Sequence, residues 1–110
     1  MRFFAFFSTI EAVHEYNTAL KRILTRPGSM LLSALTGSSS LRWLDTETPL
    51  APNLRVDLLG ESPRGHLIHI ELQNRNDQDF PPRMAEYSLA LALRHGRPPK
   101  QVALYPKNGG

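Results

Sequence analysis

Asp57 and the run Glu71-Leu72-Gln73 bring two carboxylates and an amide into one short stretch of chain. Two acids held side by side repel, so a strand pair that carries them in register calls for a counter-ion. A hard divalent cation suits that position. Mg²⁺ takes oxygen ligands, accepts one or two carboxylates from a protein, and completes its shell with water and phosphate oxygens. Gln73, two residues beyond Glu71, would project from the same face of a strand roughly 6–7 Å farther along, where it could orient an attacking water.

The elements that must position these groups are legible as alternation. In His66–Gln73 the apolar residues Ile68, Ile70 and Leu72 alternate with His69, Glu71 and Gln73, which is a strand pattern. Leu54–Leu59 alternates likewise, with Leu54, Val56 and Leu58 on one side and Arg55 and Asp57 on the other. Gly60-Glu61-Ser62-Pro63-Arg64-Gly65 reads as the turn of a hairpin between them. If both apolar sets face one core, the pairing parity is forced, because a one-residue slip would turn one set outward. Asp57 and Glu71 then share the opposite face.

Around this hairpin, Ser8-Thr9-Ile10-Glu11 reads as a capping box. Ile10, Val13, Tyr16, Leu20 and Leu24 then recur at helical spacing to about Thr25. Arg26-Pro27-Gly28 interrupts that helix, and Ser29 caps a second, short one through Leu35. Leu41–Glu47 is the candidate first strand, ended by Pro49 and Pro52. Asn74–Asp79 reads as a polar loop, and Pro81-Pro82 opens a long helix to about Arg94 that is apolar on most of its circumference and expected to be largely buried. Gln101–Tyr105 closes the sheet, and the helix before it is the crossover that a parallel pairing to an inner strand needs.

Three segments, Arg55-Val56-Asp57-Leu58-Leu59, Ile68-His69-Ile70-Glu71-Leu72-Gln73 and Arg83-Met84-Ala85-Glu86-Tyr87, together resemble the recombination-promoting nuclease and putative transposase group of the PD-(D/E)XK nuclease superfamily. The resemblance runs from about Tyr16 to Tyr105. It implies an α/β (α+β) fold with an α-β-β-β-α-β core, a mixed sheet flanked by helices. It further implies Mg²⁺-dependent hydrolysis of DNA phosphodiesters, with Mn²⁺ as a substitute, and metal ligands at Asp57, Glu71 and the Leu72 carbonyl. Where the superfamily commonly has Lys in its third motif position, this chain has Gln73. Where members often carry an acid in the first helix, it has Asn17, with Glu15 the nearby acid. Related chains usually continue past the last strand, which implies a domain shortened at its C-terminus.

Composition sets the outer bounds. The chain has 110 residues, enough for one domain with a modest core, and it has no Cys, which excludes disulfides and thiolate metal sites. Its net charge of +3 suits a polyanion such as DNA. After Glu86 there is no acid, while Arg94, Arg97, Lys100 and Lys107 follow, either as a strip along phosphates or as a solvated surface. Met1–Phe7 is apolar but too short to cross a membrane, and it lacks the form of a signal peptide, so the chain reads as cytoplasmic, with the aromatics of residues 1–9 either packing on the domain or belonging to a poorly ordered start.

Asp57 and Glu71 also have an ordinary reading as charges on the solvent face of an antiparallel sheet. Arg83 and Tyr87, one helical turn apart, could touch a phosphate, clamp the carboxylates or merely tie helix to sheet. His69 shares a face with Glu71, but Mg²⁺ prefers oxygen, and a lone strand His more often makes a local hydrogen bond. Asp77 and Asp79 lack the Gly and distal Glu of a calcium loop. Two functions therefore stand at this point. One is a Mg²⁺-dependent DNA endonuclease using Asp57, Glu71 and Gln73. The other is a catalytically silent nucleic-acid-binding or protein-interaction domain of the same fold, favoured by Gln73 and Asn17, in which exposed apolar surface on the long helix would take either a missing segment or a second copy, as in a homodimer.

Overall fold

A computed structural model describes residues 10–73 and 80–104, including backbone but not side chains for 10–16 and 80. Along the chain these are α1 (Ile10–Thr25), α2 (Met30–Thr36), β1 (Arg42–Trp43), β2 (Leu58–Glu61), β3 (Leu67–Leu72), α3 (Phe80–His95) and β4 (Lys100–Leu104). The strands form one mixed sheet in the order β1-β2-β3-β4, antiparallel at the first two pairings and parallel between β3 and β4. The fold is α+β, and α3 is the crossover that the parallel pairing requires. No helix among the described residues is long and apolar enough to cross a membrane.

Local signals account for most boundaries. Ser29 caps α2, its side chain accepting from the Leu32 N–H at 3.1 Å, and Gly37 closes the helix in the left-handed conformation with φ of 79°. The capping-box residues Ser8 and Thr9, the loop Asn74–Asp79, and Tyr105 and Lys107 fall outside the described residues.

Helices cover both faces of β3, and this is the main departure from the alternation argument. All six residues of β3 are buried. Ile68, Ile70 and Leu72 pack with Leu20, Leu24, Leu32 and Leu104 in a core under α1 and α2. Leu67 packs with Leu59, Tyr87 and Leu91 in a second core under α3. Burying a Leu or Ile fully is worth about 1.5–3 kcal/mol, so Ile68, Ile70 and Leu72 in the core under α1 and α2 are enough to fix the register of β3. The polar side chains His69 and Glu71 are thus enclosed beneath a helix rather than exposed to solvent.

The hairpin differs in its first strand. β2 begins at Leu58, not Leu54, and runs through Gly60 and Glu61. Gly60 is not a turn residue: a Cβ there would lie 2.9 Å from Leu41 Cβ and 3.0 Å from Leu41 Cδ1, so glycine is required by the close approach of the β1 side. Residues before Leu58 leave the strand because the chain doubles back at Ala51–Leu54, where Asn53 takes a positive φ of 63° that Asn tolerates better than most residues. Leu54 and Val56 consequently join the core under α3, while Leu58 faces the other core. β1 is also shorter than the sequence suggested, two residues instead of seven.

The long helix is not largely buried. Tyr87 and Leu91 form its packed stripe, supported by Met84 and Ala90, while Leu89 is 65% and Leu93 79% exposed.

Candidate functional site: a braced carboxylate pair at the end of β3

β2 pairs with β3 in the register Leu58↔Ile70 and Leu59↔His69. Continued by one step, that register sets Asp57 across from Glu71, although Asp57 has already bent out of the strand. Because β2 stops there, the Leu72 N–H at the end of β3 has no strand partner on that side, and a buried N–H must find an acceptor. Asp57 supplies it: its Oδ2 accepts from the Leu72 N–H at 2.7 Å. In return the Asp57 N–H donates to Glu71 Oε2 at 3.1 Å. Two reciprocal backbone-to-carboxylate bonds thus lock the acids together.

Glu71 is braced from beneath. His69, fully buried, places Nε2 2.6 Å from Glu71 Oε2. The tautomer follows from the next residue in the chain of bonds. Gln101, across the parallel register from His69, donates from Nε2 to the Met84 carbonyl at 2.8 Å. A carbonyl can only accept, so the amide nitrogen faces this way, and its second hydrogen points to His69 Nδ1 at 3.1 Å. Nδ1 therefore accepts, and the proton on Nε2 is directed at Glu71. Tyr87 closes the group, with its ring edge-on to His69 at 5.0 Å and its hydroxyl donating to the Arg55 carbonyl at 3.1 Å.

The electrostatics are those of an under-neutralised pair. Burial, then the neighbouring Glu71 charge, hold the Asp57 carboxyl above its ordinary range, against the opposing pull of the Leu72 N–H and Lys21. Burial and the same two carboxylates push the Tyr87 phenol up to about 12. Lys21, on α1, brings its ammonium 3.9 Å from Asp57 Oδ1. The Glu71 side chain is 9% exposed and that of Asp57 29%, so solvent reaches the pair from the Asp57 side.

Of the residues singled out from the sequence, Asp57, Glu71, Leu72 and Tyr87 come together as described. Gln73 follows at the end of β3, its N–H donating to the Leu104 carbonyl at 2.7 Å, and its side chain is half-buried. Arg83 lies in the first turn of α3, close enough that its charge acts on the Tyr87 hydroxyl. Glu15 lies on α1, with its side chain outside the described set. Asn17 is half-buried on the same helix and has interaction partners. The basic strip is partly engaged: Arg97 and Arg42 both pair with Glu61, and Arg94 donates to the Pro49 carbonyl at 3.2 Å.

Sequence reasoning missed Lys21 and Gln101. Lys21 follows Leu20 on the helix, and a polar residue there resembles any solvated position. Gln101 opens a closing strand, and nothing in its neighbours signals a bond to residue 69.

The donor set suits a hard cation. Both groups are carboxylates: the Leu72 N–H engages Asp57 Oδ2, the Asp57 N–H and His69 engage Glu71 Oε2, and the Tyr87 hydroxyl also interacts with the Glu71 carboxylate. Among the described residues no group of three or more His, Cys, Asp or Glu is placed to hold a metal, so a cation here would rest on two side chains, with backbone and water oxygens completing its shell. Comparison of the chain with protein-family models, curated proteins and solved structures finds no match.

Proposed function

We propose that Asp57 and Glu71 hold a divalent cation, Mg²⁺ or in its place Mn²⁺, and that the chain is a metal-dependent DNA endonuclease domain of the transposase- and recombination-associated type that its sequence resembles. One observation carries this reading: two acids fourteen positions apart are locked together by reciprocal bonds of 3.1 and 2.7 Å at a partly solvent-open strand end. After burial, the Glu71 charge is what raises the Asp57 carboxyl, and a bound cation would offset that repulsion. The order of elements, helices followed by an antiparallel hairpin, a crossover helix and a parallel strand, agrees with the α-β-β-β-α-β succession of PD-(D/E)XK nucleases, with α2 added after the first helix.

In this reading the Asp57 and Glu71 carboxylates would hold the cation, and the Leu72 carbonyl at the strand end is a third candidate oxygen. His69, aimed by Gln101, and the Asp57 N–H fix the Glu71 carboxylate from behind, so that the ligand geometry is set before metal arrives. A bound Mg²⁺ would polarise a phosphoryl oxygen and lower the pKa of its water. Gln73 would orient the attacking water through an amide dipole, without the positive charge that Lys supplies, which predicts slow cleavage. Arg83 and Tyr87 act at one remove: Tyr87 ties α3 to the chain before Asp57. The exposed Leu89 and Leu93 on α3 are the face on which a second copy would pack.

The saturation of Glu71 Oε2 by two hydrogen bonds favours a second reading, in which the acids are a structural brace in a catalytically silent nucleic-acid-binding or protein-interaction domain. Supercoiled plasmid incubated with Mg²⁺ and the purified chain, beside Asp57→Ala and Glu71→Ala, separates the two. Nicking by the parent that both substitutions abolish supports the endonuclease. Nicking that survives both, or none from the parent, overturns it, and salt-sensitive DNA binding without cleavage supports the silent domain.

A further inference from the structure

The charge opposite the acid pair is supplied by a residue of α1 that sequence reasoning missed. Lys21 Nζ stands 3.9 Å from Asp57 Oδ1, the one Asp57 oxygen that the Leu72 N–H does not hold. We propose that Lys21 is the resident counter-ion of the metal-free site, that it yields Asp57 to an incoming divalent cation, and that it is then left beside that cation to hold a phosphate oxygen of the substrate. This rests on the metal-site reading above.

Three features support an exchange rather than a permanent ion pair. The first is distance: at 3.9 Å, charge attraction is present without a tight hydrogen bond, whereas the backbone bonds to the same carboxylates are 2.7 and 3.1 Å. The second is access, since the Lys21 side chain is 43% exposed and that of Asp57 29%, so the ammonium can swing off on its four-carbon stem without disturbing the core. The third is anchoring. Leu20 and Leu24 are buried on either side of Lys21, and α1 is packed through them against β3, so the stem starts from a fixed point whatever its head is doing. A dication and an ammonium at one carboxylate oxygen repel, so Lys21 must move as the cation enters. A phosphate bound at that cation would then lie within reach of the displaced charge.

This arrangement predicts effects of opposite sign from one substitution. In Lys21→Met the metal-free pair loses its competitor, so Mn²⁺ titrated into the metal-free protein should bind about three- to thirtyfold tighter. Plasmid cleavage at saturating Mg²⁺ should nonetheless fall about a hundredfold, as expected for losing one positive contact to a developing phosphate charge. Lys21→Arg keeps the charge and should return Mn²⁺ affinity to the parent's value. A structural role would instead weaken Mn²⁺ binding in Lys21→Met and lower its melting temperature. Mn²⁺ affinity that is unchanged or weaker in Lys21→Met, with tight binding in the parent, overturns the counter-ion assignment while leaving the metal site standing. A parent chain that binds no Mn²⁺ overturns the metal site and the Lys21 inference together.

Discussion

His69→Ala tests the brace under Glu71 independently of any catalytic reading. The ring is wholly buried, its Nε2 lies 2.6 Å from Glu71 Oε2, and its Nδ1 accepts from Gln101 at 3.1 Å. Removing it strips a charge-assisted bond from a nearly buried carboxylate, which costs about 1.5–3 kcal/mol. The vacated ring leaves roughly 60 Å³, and at about 24 cal/mol per Å³ that adds about 1.5 kcal/mol. The sum, about 3–4.5 kcal/mol, is a large share of the roughly 5–15 kcal/mol that holds such a domain. Urea denaturation followed by far-UV circular dichroism measures it directly, and a thermal scan should show a melting point lower by about 12–25 °C. A double-mutant cycle with Glu71→Gln isolates the pair: the double variant should be more stable than the two single losses added together, by about 1–2 kcal/mol. A His69→Ala loss below about 1 kcal/mol, or strict additivity in the cycle, would refute the brace.

Two further predictions come from the acids and the phenol they perturb. Asp57 has its carboxyl raised by burial and by Glu71, so the folded state holds its proton more tightly than the unfolded chain, and stability contributed below pH 3.8 is lost as pH rises through the raised folded value. Asp57→Asn, which keeps an acceptor for the Leu72 N–H, should therefore be no less stable than the parent at pH 7 without metal, and the parent should gain on it as pH falls toward 3.8. Chemical denaturation at several pH values checks this, and a parent more stable than Asp57→Asn at pH 7 would contradict it. Tyr87, held up to about 12 against an ordinary 10.0, makes stability fall as pH rises above 10. Tyr87→Phe should flatten that alkaline decline while losing about 1 kcal/mol at neutral pH for the missing bond to the Arg55 carbonyl; an unchanged alkaline slope would show that the phenol is not perturbed.

The parts of the structure legible in the sequence are those that local chemistry fixes. Ser29 and Gly37 bracket α2 because a side-chain acceptor and a positive φ are needed there, and both needs are written in residue type. The alternation of Ile68, Ile70 and Leu72 revealed β3, but the parity expected of Leu54–Leu59 does not hold, since Leu54 and Val56 join the core under α3 while Leu58 faces the other. The environment of β3 was not legible, because a strand carrying His69 and Glu71 between apolar residues reads as half-exposed unless the polar pair is known to satisfy itself under a helix. The turn assigned at Gly60 failed for a related reason: glycine marks both turns and close approaches, and only the position of Leu41 tells them apart. Leu89 and Leu93 looked buried because apolarity around a helix is visible in sequence, while the side that finds a partner is not. Lys21 and Gln101 reach the site from elements 36 and 30 positions away from Asp57 and Glu71 respectively, and long-range partners of that kind leave no local periodicity.

The central claim, that Asp57 and Glu71 form a divalent-cation site, is met most directly by calorimetric titration of Mn²⁺ and Mg²⁺ into the metal-free chain at pH 7. One ion per chain, bound by the parent and lost in both Asp57→Asn and Glu71→Gln while each variant still melts cooperatively, is the expected result. No binding by the parent, or binding that survives both substitutions, would contradict the site and leave the pair as a structural brace alone.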